Sequence, residues 1–132
     1  MSSAAAQIDR VAADFVDLLA WQRAVALVRE VVRLAPQVRG PGASETVDQV
    51  LSAAESVAAN IAEGYGRGPG RDFARFLRMA AASAAETESH LRVAGACGRL
   101  SAEVVAAAVA QCREVRALVN GLRKAIKSKS AD

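Results

Sequence analysis

The chain has 132 residues, a net charge of +3 and 52% hydrophobic residues, of which only five side chains are aromatic. That length fits one domain, read as residues 1–132 with a polar tail from about 128, and large enough to bury roughly two thirds of its unfolded surface. No apolar run reaches the roughly 18 residues of a membrane span. The opening MSSAAAQIDR lacks the basic start and apolar stretch of a secretory leader, so a cytoplasmic location is expected.

Alanine supplies much of the apolar content, as in AAASAAE (80–86) and VVAAAVA (104–110), and alanine is the strongest helix former. Clusters of β-branched and aromatic residues bounded by turns are missing, which predicts an all-α chain. A first helix is expected from about Ala4–Asp9 to Ala35, where Pro36 stops it. It is apolar almost all round: Leu27, Val31 and Leu34 lie opposite Trp21, Val25, Val28 and Val32. One helix of a bundle cannot bury every side internally, so the surplus predicts self-association.

PQVRGPGA (36–43) forms the first loop, and Ser44 is a plausible N-cap for a second helix with Glu45 in its first turn. That helix turns Val47, Val50, Leu51, Ala54, Val57, Ala58 and Ile61 inward and ends at Gly64 as a left-handed cap. The segment NIAEGYGRGPGR (60–71) raises the question of a phosphate cradle. Gly64 and Gly66 begin a GxGxxG pattern, but Pro69 breaks it and a helix rather than a strand precedes it. The segment reads as a turn.

A third helix starts around Pro69–Asp72, with Phe73, Phe76, Leu77, Ala80, Ala84, Thr87, Leu91 and Ala94 inward, and ends near Gly98. Ser101 then caps a fourth, whose stripe is Val104, Val105, Ala108, Cys112, Val115, Val119, Leu122 and Ile126. It ends near Lys127, beyond which KSKSAD is expected to fray. Short loops between long helices predict an up-down-up-down antiparallel four-helix bundle. Cys97 and Cys112, without a CxxC or a neighbouring histidine, read as reduced core thiols, with a disulfide or a reactive thiol as the alternatives.

Catalytic sets are hard to assemble. His90 is the only histidine and Glu86 precedes it by four, so with Glu55 and Glu63 the ligands for a metal centre are too few. No metal, cofactor or enzymatic activity is expected. Two polar stripes of equal length fall on neighbours expected to be antiparallel: Ser56, Asn60 and Glu63 on the second helix, Ser83, Glu86 and His90 on the third. A hydrogen-bonded seam that fixes register is the leading reading; a ligand site or plain solvated faces are the others.

The basic residues are the remaining signal. Residues 96–132 hold seven basic and three acidic side chains. Arg113, Arg116, Arg123 and Lys127 fall within about a third of a turn on the fourth helix, with Lys124 alongside. Arg67, Arg71, Arg75 and Arg78 lie at the start of the third, which shares an end of the bundle with the end of the fourth. The gathering suits phosphates. A salt-bridged or solvated face is the alternative, with Asp9, Asp14 and Asp17 near the same end.

Three segments together, FVDLLAWQRAVALVREVVRLA (15–35), SVAANIAEGYGRG (56–68) and FARFLRMAAASAAETESHL (73–91), resemble a four-helix-bundle family. It was first noticed in proteins encoded within 23S rRNA intervening sequences, and includes the accessory variability determinant of diversity-generating retroelements. Asn60 to Gly64 with Gly66-Arg67 is the most specific match, joined by Phe76-Leu77, Ser83 and Glu86, and by Trp21-Gln22. The resemblance implies a non-enzymatic, ring-like homopentamer with a basic surface, and for the retroelement members a reverse transcriptase and its template RNA as partners. The sequence departs from the family pattern after Gln49, where Val50, Leu51 and Ser52 replace paired basic residues, and in a diluted Pro-x-x-Glu lead-in. An interaction module without a nucleic-acid role is the second expectation.

Overall fold

A computed structural model describes the chain from residue 14 to residue 130, and its side chains as far as residue 126. Four helices follow a 3-10 turn at Phe15–Asp17: α1 (Leu19–Leu34), which a second 3-10 turn, Ala35–Gln37, follows, α2 (Ala43–Gly66), α3 (Arg71–Ala96) and α4 (Ala102–Ser130). No strand occurs among the described residues. They pack as a four-helix bundle in which α3 lies against both α2 and α4, while the shorter α1 closes the remaining side. Contacts of α2 near Gly64 with Phe76, and of Thr46 and Gln49 beside Ala94 and His90, make α2 and α3 antiparallel.

The helical periodicity lands the core where the spacing predicts it. Leu27, Val31, Leu34, Val57, Ile61, Leu77, Leu91, Val119 and Leu122 are all essentially inaccessible. Thr87 is 0% exposed, and its Oγ1 donates to the Ser83 carbonyl at 2.8 Å, so the buried hydroxyl is satisfied within its own helix. Ser101 caps α4 as expected, with its Oγ accepting from the Val104 amide at 3.3 Å.

Several local expectations are corrected. The proposed start of the first helix at Ala4–Asp9 lies outside the described residues, but residues 14–18 are not α-helical. Asp14 and Asp17 form a capping box around the 3-10 turn, Leu18 is extended, and α1 begins only at Leu19. The second face of α1 is partly covered. Trp21 stacks edge-on against Phe15 at 5.3 Å and packs with Val28 on the core, which leaves Val32, 57% exposed, as the large apolar residue facing solvent there.

Ser44 does not cap α2. The cap is Gly42, whose φ of 82° needs no Cβ, and the helix starts at Ala43. Gly64 is no left-handed cap either: α2 continues to Gly66, and the left-handed residue of the turn is Gly68 at φ 86°. Gly64 is glycine for lack of room, because a Cβ there would sit 2.7 Å from Phe76 Cβ and 3.0 Å from Phe73 Cδ1. Cys97 is exposed at the end of α3 and only Cys112 is in the core; both thiols are free. The tail expected to fray from about 128 is helical as far as Ser130. Lysines are favoured in a last helical turn, where the macrodipole is negative.

At the far end of the bundle the two remaining loops clasp each other. Gly98, at φ 74°, closes α3 with its amide bonded to the Gly95 carbonyl and that of Arg99 to the Ala94 carbonyl. Arg99 then donates to the Pro41 carbonyl at 3.1 Å and to Thr46 Oγ1 at 3.3 Å, while Arg39 donates to the Gly98 carbonyl at 3.3 Å.

The two glycines of α2 should respond oppositely to alanine. Gly64→Ala gains helix propensity but overpacks Phe76, for a net loss of about 1 kcal/mol or more. Gly66→Ala meets nothing within 4 Å and should gain about 0.5 kcal/mol. Thermal melts followed by circular dichroism check both signs. Burial pushes the Cys112 thiol up to about 12, so at neutral pH a thiol reagent should label Cys97 quickly and Cys112 only on unfolding, with equal labelling contradicting the packing.

Candidate nucleic-acid interface

The register of α3 against α4 decides which charges meet. A Cβ on Gly95 would lie 3.0 Å from Val105 Cγ2, and seven residues back along α3 Glu88 faces Arg113 and Arg116. Antiparallel helices keep that pairing along their length, so Arg78 falls level with Arg123 and Lys124. The predicted basic residues therefore lie along one seam between α3 and α4, with two exceptions.

Those exceptions are Arg67 and Arg75. Arg67 pairs with Glu63 at 2.9 Å and Arg75 with Asp72 at 3.7 Å. Their guanidinium carbons stand 5.2 and 4.6 Å from the centroid of the Phe76 ring. A cation over an aromatic face is attracted to it, so both arginines are held on the α2 side of α3. The expected single cluster is divided by Phe76.

Along the seam itself the arginines fall into two groups. Glu88, with a side chain only 12% exposed, accepts from Arg92 Nε at 2.8 Å and from Arg113 Nη2 at 3.2 Å, and Arg116 Nη1 approaches to 3.8 Å. Hydrogen bonds from Arg92 first, then Arg113, hold the Glu88 carboxyl below its ordinary value, against the opposing effect of burial. Arg92 belongs to this group and carried no signal in the sequence beyond its i, i+4 spacing from Glu88.

The second group lies toward the end of the bundle. Arg71, Arg78, Arg123 and Lys124 form no ion pair among the described residues, and all but Arg123, which is half-buried, are exposed. Lys127, also expected in this group, lies outside the residues whose side chains are described. At the opposite end Glu45 and Asp48 at the start of α2 and Glu103 at the start of α4 have no ionic partner among the described residues, and they share that end with the loop arginines Arg39 and Arg99.

The predicted polar seam takes a different form. Ser56 Oγ donates to the Ser52 carbonyl at 2.9 Å, and Asn60 Nδ2 to the Ser56 carbonyl at 2.8 Å. Glu63 is taken by Arg67, and Glu86 lies 3.3 Å from His90. Ser83 lends its carbonyl to Thr87. The two stripes bond along their helices rather than across to each other, because short polar side chains reach the carbonyl four residues back and long ones a partner four residues on.

The described residues form four helices and no strand, with no group of three or more His, Cys, Asp or Glu placed to hold a metal ion, so the molecule is a four-helix bundle. A family model described as 23S rRNA-intervening sequence protein matches residues 16–121, and the chain belongs to that family. No curated protein matches the chain. None of the described helices is long and apolar enough to cross a membrane.

Glu88 gives a pH-dependent stability. Its lowered carboxyl contributes fully above the ordinary value of 4.5 and loses that contribution as pH falls through the lowered value. Glu88→Gln should therefore cost about 1 kcal/mol at pH 7, limited by the solvent around its arginines. In melts against pH, the gap to the parent chain should close as the pH falls through the lowered value; a gap that persists there would assign the loss to packing instead.

Proposed function

We propose that this chain is a non-enzymatic, homo-oligomeric accessory protein, pentameric as the family resemblance implies, that binds structured RNA through the free end of the α3/α4 seam. The observation that carries the reading is the set Arg71, Arg78, Arg123 and Lys124, four cations with no carboxylate partner among the described residues on one end of the bundle. An arginine already bonded to a carboxylate must give up that partner to take a phosphate, whereas these four need only shed counterions. RNA backbone is read by charge and shape, which a row of long flexible cations on rigid helices provides. The resemblance to retroelement accessory proteins makes a reverse transcriptase with its template RNA the natural partner assembly. With neither a nucleophile–base pair nor a metal set in the sequence reading, the protein's contribution is to hold rather than to react. A bundle that only contacts other proteins is the alternative.

Titration of a labelled RNA hairpin at several salt concentrations tests the reading. Four phosphate contacts predict log K falling with log salt at a slope of about −3 to −4. Arg78→Ala and Arg123→Ala should each reduce the slope by about one, and Arg67→Ala should leave it unchanged. Absence of binding at low salt would reject RNA as the partner.

A further inference from the structure

Above the free cations, the α3/α4 seam opens into two adjoining troughs of about 590 and 470 Å³. The floor is made of small side chains, among them Ala85, Ala96, Ala106 and Ala110, beside Val93, which is 52% exposed. The rim is cationic: Arg92, Arg113 and Arg116 share the single carboxylate of Glu88. An apolar floor with unbalanced guanidinium groups on its rim fits a helix that is narrow and acidic.

The chain carries such a helix on another side. Glu45, Asp48, Ser52, Glu55 and Ala59 are all exposed and, at spacings of three and four, form one strip on the face of α2 turned away from the core. Glu45, Asp48 and Glu55 have no ion pair among the described residues, and the other members of the strip, Ser52 and Ala59, are small. Small residues allow close helix approach.

Heights match as well as charges. The contacts of Gly64 with Phe76 and of the Thr46–Gln49 turn with His90 and Ala94 set α2 against α3. In that register Asp48 is level with Arg92, and Glu55 with Ala85, which lies beside Arg116 in the trough. A cyclic arrangement with its axis along the bundle keeps every copy at one height. Each α2 strip then meets the next copy's arginines without sliding.

We propose that the α3/α4 trough receives the acidic face of α2 from a second copy of this chain, head to tail, so that repetition closes a ring. The inference rests on the homo-oligomeric reading above and names its interface. Strip and trough occupy different faces, so every copy offers both. The end bearing Arg71, Arg78, Arg123 and Lys124 lies below the contact and stays open in the ring.

Light scattering after size exclusion tests the contact on the full chain, with circular dichroism melts confirming that each variant folds. The parent chain should be multimeric. Asp48→Arg with Glu55→Arg spoils only the strip, and Ala106→Trp, at an exposed position, fills only the trough; each should be a folded monomer. Mixed in equal amounts, the two should form a 1:1 dimer and nothing larger, because one intact strip meets one intact trough. A parent multimer whose mass survives both changes, or a mixture that stays monomeric, overturns this interface and leaves the oligomeric reading standing. A monomeric parent overturns both.

Discussion

The closeness with which α3 approaches its two neighbours governs the rest of the molecule. On one side Gly64 of α2 has no room for a Cβ against Phe76, and on the other Gly95 lies against the Val105 side chain. Close-packed helices cannot slide by a residue without breaking such contacts. Since α3 is antiparallel to both partners, two fixed contacts assign a height to every charged side chain on three helices. Glu88 meets Arg113 and Arg116 for that reason, and Arg78 comes level with Arg123.

Charge is then sorted rather than merely accumulated. A net charge of +3 is small, yet four unpaired cations among the described residues gather toward one end of the bundle. Carboxylates engage the arginines in the middle of the seam and around Phe76, while those at the start of α3 and end of α4 are left to solvent. Field strength near a surface depends on such local imbalance more than on the total. The same sorting leaves Glu45, Asp48 and Glu55 unpaired on α2, so the chain carries complementary surfaces on separate faces.

The core was legible because burial follows the 3.6-residue period, which Leu77, Thr87 and Leu91 obey as closely as Val57 and Ile61. Four things escaped the sequence. Gly64 reads as a helix stop because glycine's backbone freedom is a local property, whereas the closeness of Phe76 is a tertiary one. Leu18 breaks the first helix through the Asp14–Asp17 capping box, a two-residue signal hidden inside a long apolar pattern. Helical spacing alone could not separate Arg67 and Arg75, held by Glu63, Asp72 and the Phe76 ring, from Arg71 and Arg78, nor Arg113 and Arg116, engaged by Glu88, from Arg123. Arg39 and Arg99 gave no pattern at all, since loop-to-loop bonds have no period.

The central claim is that register, by sorting the arginines, leaves one particular group open to phosphate. Arginine-selective chemical footprinting read by mass spectrometry, with and without a structured RNA, addresses it directly. RNA should slow modification of Arg71, Arg78 and Arg123 and leave Arg67 and Arg75 at their original rates. Protection centred on Arg67 and Arg75, or spread evenly over all the arginines, would contradict the account.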